Sequence, residues 1–146
     1  MPEPPVQHYG NHIRRLPIFH FFVLPVTVLY ALYEIYEAIR NPTRSSIVWA
    51  VYTAAIACAV FTSRYMASRV QDRVIRLEET QRMQRILPAS MQGEIPRITP
   101  AQFVALRFAS DEELADLVRR TLAGDFPKQK DIKQAVKKWR ADWLRA

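Results

Sequence analysis

Three histidines, a few close carboxylates and a single cysteine are the side chains whose types and spacing could do chemistry. His8 and His12 are four apart, so on a helix they could share a metal ion, and His20 could be an axial ligand for a porphyrin or chlorophyll. No Cys, Asp or Glu close by in the chain completes such a site, so histidines at a membrane interface are the simpler reading. His12 and His20 stay behind it as the cofactor candidates. Glu34 and Glu37 close an apolar segment, where an ionisable pair could handle protons. The competing role is to complement Arg40 and Arg44 across the following turn. Glu78/Glu79 and Asp111–Glu113 lie among basic residues on polar helices. Cys58 is alone in an apolar run and is expected to pack as a small hydrophobe. There is no glycine-rich phosphate loop, serine elbow or zinc pattern. The expectation is a non-enzymatic protein with no metal and no cofactor.

The elements that would position these residues follow from how charge is distributed. Residues 18–33 contain no Asp, Glu, Lys or Arg, and neither do residues 45–63. From Ser63 onward the chain holds 17 of its 21 Lys and Arg and carries most of the net charge of +7. A bilayer core about 30 Å thick needs roughly 20 helical residues. Two transmembrane helices are therefore read, over 17–39 and 46–66. Tyr33, Trp49, Arg64 and Tyr65 flank them as interface residues, where amphipathic rings and snorkelling arginines settle. The competing reading of the first segment is a cleaved leader, but no small-x-small site follows it.

Residues 40–45 are the short outer turn, in which Asn41-Pro42 breaks the first helix and Ser45 or Ser46 caps the second. Pro17 suits a first helical turn, and Pro25 should kink the first span. Positive charge sets the orientation. Arg14 and Arg15 precede the first span, and Arg64, Arg69, Arg73 and Arg76 follow the second. That bias places both termini in the cytoplasm, with residues 1–16 as a cytoplasmic N-terminal segment.

Beyond the second span, 67–87 reads as a juxtamembrane amphipathic helix on Val70, Val74 and Leu77, with Arg69 and Arg73 turned to anionic headgroups. Residues 88–97 read as a turn-rich linker, and 98–146 as a cytoplasmic three-helix region. Thr99-Pro100 and Ser110 supply helix starts, and Gly124 a helix stop. The last helix carries Ile132, Val136, Trp139 and Trp143 on one side, with Lys130, Lys133, Lys137 and Arg140 largely elsewhere. Burial of the tryptophans is the first reading. Lipid or partner contact by Lys133, Lys137, Trp139, Arg140 and Trp143 comes second, and nucleic-acid phosphates come last. The fold class is all-α: a two-helix transmembrane hairpin, a long juxtamembrane helix and a small cytoplasmic helical region.

The stretches "NHIRRLPIFHFF", "DRVIRLEE", "TPAQFVALRFASDEELADLV" and "KQKDIKQAVKKWRADWLR" together resemble a domain-of-unknown-function family of small two-span bacterial membrane proteins. The resemblance covers nearly the whole chain. It implies a bacterial inner-membrane protein with a cytoplasmic helical region, and it brings no activity. The expected function is that of an accessory subunit or membrane-surface adaptor, with anionic lipid and a membrane protein as partners. No nucleic acid or small-molecule substrate is expected. The alternative is a cofactor-binding or proton-handling protein using His20, His12 and Glu34.

Overall fold

The computed structural model describes residues 7–11 and 16–142. His12, Arg14, Arg15 and Trp143 lie outside the described residues. Among the described residues every regular element is a helix, with one isolated antiparallel bridge between Ala109 and Trp139. It forms two compact units, one of residues 16–68 and one of residues 69–142 with 7–11.

In the first unit a helical segment opens at Pro17 and passes through a π-helical turn, Phe19–Val23, into α1 (Leu24–Arg40). The π turn answers the proline. Pro25 has no N–H to give, and its ring crowds the carbonyl four residues back. The turn before it widens, and Leu24 N–H donates to the Phe19 carbonyl, five residues earlier. Asn41–Thr43 then separate α1 from α2 (Arg44–Ile86). The second helix starts two residues earlier than expected, because Thr43 is its cap and neither Ser45 nor Ser46 is. Thr43 Oγ1 accepts from Ser46 N–H at 3.1 Å, and Ser46 Oγ accepts from Thr43 N–H at 2.9 Å. This reciprocal pair satisfies two orphan amides. α1 and the start of α2 flank a groove of about 330 Å³ lined by Val26, Thr27, Tyr30, Trp49, Tyr52, Thr53 and Ile56.

The second unit contains the core. Met83 from the end of α2 and Leu87 just after it pack with Phe103, Leu106, Leu114, Val118 and Ile132. Residues 88–97, expected to be a linker, send Ile95 into this core, with Met91 packed against it. They fold as α3 (Ala89–Gln92) and a 3₁₀ turn, Ile95–Arg97, and Ile95 and Ile98 are buried. Turn-forming residues marked the bends correctly, but two isoleucines placed between them had to go inside.

α4 (Pro100–Leu106) and α5 (Asp111–Ala123) start where the capping signals put them. Thr99 Oγ1 accepts from Gln102 N–H at 3.3 Å, and Gln102 Oε1 accepts from Thr99 N–H at 2.8 Å. Gly124 ends α5 with φ at +89°, a left-handed conformation that glycine adopts without a Cβ penalty.

α6 (Gln129–Ala135) is much shorter than the last helix expected from sequence. At Val136 the backbone turns extended, and 136–142 runs as a strap beside Phe108–Ser110. Tertiary hydrogen bonds replace the helical ladder. Lys137 and Lys138 N–H both donate to the Glu113 carboxylate at 3.1 Å, Ser110 N–H donates to Lys138 O, and Arg140 N–H to Phe108 O.

Candidate functional site: a charged cleft

A cleft of about 510 Å³ opens in the second unit. Ile75, Glu78, Glu79, Arg82 and Arg85 of α2 form one wall, and Arg107, Arg140 and Asp142 line the rest. Ion pairs hold it together. Arg82 is buried and donates from its NH1 to Glu79 Oε2 at 2.9 Å, from Nε to Asp111 Oδ1 at 2.9 Å, and from NH2 to the Ala109 carbonyl at 2.7 Å. Glu79, also buried, accepts from Arg140 NH1 at 2.8 Å on its other oxygen. Arg140, Glu79, Arg82 and Asp111 thus form one chain of alternating charge from the strap across α2 to the first residue of α5. A fork of guanidinium donors matched to carboxylates is what makes such a buried chain tolerable.

A second clasp lies beside it. Arg107 is buried, pairs with Asp142 at 3.3 Å, and stands 4.5 Å from the centre of the Phe108 ring. Asp142 N–H donates to Gln7 Oε1 at 2.8 Å, and Gln7 Nε2 donates to the Asp142 carbonyl at 3.3 Å. The strap is therefore tied at Lys138, Arg140 and Asp142. Lys138 also pairs with Glu112, and that carboxylate beside an exposed ammonium pushes the lysine pKa above its usual 10.5.

Among the described residues the cleft lining contains no histidine, serine or cysteine, and its buried acid is occupied by two guanidiniums. Its chemistry is that of a clasp. Arg85 is exposed and, among the described residues, forms no ion pair, so it gives the rim its available positive charge.

The residues singled out from sequence separate into three groups. Lys133 and Trp139 face inward, away from the surface role considered for them. Lys133 is buried with its Nζ 5.6 Å from the centre of the Phe108 ring, and half-buried Trp139 packs on that ring at 4.8 Å. Because the helix ends at Ala135, its helical face pattern does not extend to these aromatics. Lys137 is exposed, while Arg140 is committed to Glu79.

The histidines form a second group. Residues 8–11 make a turn, and His12, the proposed metal partner of His8, lies outside the described residues. Within this turn His8 Nδ1 accepts from Gly10 N–H at 3.0 Å. His20 Nδ1 lies 3.1 Å from the Leu16 nitrogen and 2.9 Å from its oxygen, so either tautomer closes the first helical turn. Among the described residues no three His, Cys, Asp or Glu gather as a metal set. Glu37 accepts from Asn41 Nδ2 at 3.2 Å, and Arg40 donates to the Tyr36 hydroxyl at 2.8 Å, so the turn is not closed by a Glu37–Arg40 pair.

The third group, Tyr33, Trp49, Tyr65, Arg69 and Arg73, is exposed, and Arg64 is partly covered. Tyr33 stacks on Tyr30 at 6.3 Å, and Trp49 meets Tyr52 edge-on at 5.8 Å.

Sequence reasoning missed the clasp. The sequence places Glu79 and Asp111 only among basic residues on polar helices and does not single out Arg82. One signal was available: Glu79, Arg82 and Met83 fall at three- and four-residue steps, on the same face as Ile75 and Ile86. The model of a family of unknown function (DUF6526) matches residues 3–146. No curated protein and no solved structure matches the chain.

Proposed function

We propose that this chain, which belongs to that family of unknown function, is a two-span protein of the bacterial inner membrane with both termini in the cytoplasm. It works there without catalysis, as an accessory subunit or membrane-surface adaptor of a larger complex. The observation that carries the reading is the exposure of its most apolar helices. Of the most apolar stretch in each, only 6% of residues in the first helix and 11% in the second are buried. A core helix of a water-soluble fold would be mostly buried. Here Ile18, Phe21, Phe22, Leu29, Leu32 and Ile39, with Val51, Ile56 and Phe61, present their side chains outward. Apolar surface on that scale calls for an apolar surrounding. The first helix has 22 residues, about 33 Å at 1.5 Å per residue, which matches a bilayer core.

Under this reading Tyr33 and Trp49 sit at the outer interface, and Arg64, Tyr65 and Arg69 at the inner one, where anionic headgroups meet the arginines. The clasped unit follows on the cytoplasmic side, its arginine rim turned to a protein partner. The commitment of its buried Glu79 and Arg82 to ion pairs supports a binding role over a catalytic one.

The test is expression of the full chain, alkaline carbonate extraction of membranes, and reporter fusions at the 40–45 turn and after Ala146. Retention in the pellet, an outer turn and an inner C-terminus are expected. Purification in mild detergent should then bring stoichiometric protein partners. Release by carbonate would overturn the membrane reading, and a partner-free species carrying a pigment or metal would overturn the adaptor reading.

A further inference from the structure

Beyond the span, α2 carries an apolar stripe that its own unit leaves uncovered. Val70, Val74 and Leu77 are 62%, 47% and 61% exposed, at spacings of four and three, and Gln81 continues the pattern. Ile75, Glu79, Arg82 and Met83, which enter the core and the clasp, lie roughly 155° around the helix at 3.6 residues per turn. Val70, Val74 and Leu77 therefore lie on a different side of the helix from the residues that enter the core, while Glu78, at the border, and Gln81 also line the cleft.

The geometry points to a second copy of this chain as the occupant, paired through a short parallel coiled coil. This inference rests on the membrane reading above. Steps of four and three are the heptad spacing, with Val70 and Leu77 at d and Val74 and Gln81 at a. That register makes Arg73 a g residue and Glu78 the e residue five positions later, the two sites that join helices of a parallel dimer by charge. Both are exposed, and among the described residues neither is ion-paired within its own chain. In a symmetric pair each Arg73 meets Glu78 of the other copy, twice over.

Lipid is the weaker occupant. Leu77 comes 11 residues after Met66, about 16 Å farther along an unbroken helix, whereas the headgroup layer adds only about 5–7 Å to each face of the bilayer core. Acyl chains do not reach that far. The membrane also removes the usual obstacle to so short a zipper. Two copies inserted the same way are already parallel and at the same depth, so much of the orientational cost of pairing is met beforehand.

The experiment uses the full chain in its membrane with Cys58→Ala, adding one cysteine at a time: Val70→Cys, Val74→Cys or Leu77→Cys on the stripe, Arg69→Cys or Arg76→Cys off it. Mild oxidation should give disulfide dimers several-fold more abundant for the stripe than for the controls. In the Leu77→Cys background, Arg73→Glu or Glu78→Arg alone should cut the dimer yield several-fold, and the two together should restore it. Equal yields at all five positions, or no rescue by the double swap, would overturn the pairing. Carbonate extraction of the same samples separates the two readings. A retained protein without stripe crosslinks defeats the pairing alone, and stripe crosslinks in a carbonate-released protein defeat the membrane reading alone.

Discussion

The two units satisfy their polar groups at different ranges along the chain. In residues 16–68 the hydroxyls bond to their own helix: Thr27 to the Val23 carbonyl at 2.6 Å, Thr53 to Trp49 at 2.9 Å, Ser63 to Val60 at 2.9 Å. In residues 69–142 polar side chains reach across the fold. Arg82 meets Asp111 from 29 positions away and Arg140 meets Glu79 from 61, while Gln7 meets Asp142 from 135. Strictly local bonding leaves a helix with nothing to ask of its surroundings, which is what an apolar solvent requires. Long-range bonding makes a unique packed structure in water, at the risk of stranding a charge if one partner goes. The contrast teaches that the two parts dispose of apolar side chains in opposite ways, outside in one and inside in the other.

The sharpest way to break that contrast is to make the same truncation in both parts. Phe103 is 1% exposed and Phe21 is 66% exposed. Phe103→Ala should cost about 4 kcal/mol through lost burial and the cavity left behind. Phe21→Ala should leave the unfolding of the second unit unchanged. Urea unfolding of the full chain in mild detergent, followed by tryptophan fluorescence, reads both. Similar midpoints for the two variants would mean that the burial contrast has no energetic counterpart.

Arg82→Ala comes next, at about 3 kcal/mol, since it leaves Glu79 buried with half its partners gone. The same unfolding curve checks it, and Arg85→Ala at the exposed rim is the control expected to be silent. A silent Arg82→Ala would reduce the clasp to ornament.

What sequence could show divides along the same line. Local signals were legible: the two long apolar helices, the Thr99 capping box, the acidic start of α5 and the Gly124 stop all depend on neighbours within a turn. The misjudged features depend on distant residues. Lys137 and Lys138 leave the helix because Glu113, more than 20 positions earlier, takes their amides. Lys133 goes inside because the Phe108 ring lies there, and residues 88–97 fold because Ile95 and Ile98 find the core. Even near the turn, Thr43 won the cap over its serine neighbours because Ser46 could answer it three residues on.

Thr99→Ala probes one of the legible features and should be smaller in effect, about 1 kcal/mol, because capping recovers only an amide or two at the start of α4. Thr99→Ser, which keeps the hydroxyl, should recover most of that loss in the same urea curve. If serine recovers nothing, the cap is not what the threonine contributes.

The smallest effect tests whether the strap is held from outside as well as by its buried clasp. Lys138 is exposed, and its pKa is raised above 10.5 chiefly by the hydrogen bond to Glu112, then by that residue's charge. A lysine whose folded pKa exceeds its unfolded one stabilises fully below the unfolded value and loses that contribution as pH climbs through the folded one. The pair should therefore help near neutrality and fade on the alkaline side of pH 10.5. Glu112→Gln should lower the unfolding midpoint slightly at neutral pH, and the gap from the parent protein should close as the lysine titrates. Added salt should narrow the same gap, because both groups are open to solvent and screened. Arg82→Ala, which strips the buried Glu79 and the Ala109 carbonyl of a partner, should keep most of its deficit under either treatment. If the Glu112→Gln gap persists at high pH, charge is not what joins Lys138 to α5, and the strap depends there on the Lys137 and Lys138 amides bonded to Glu113.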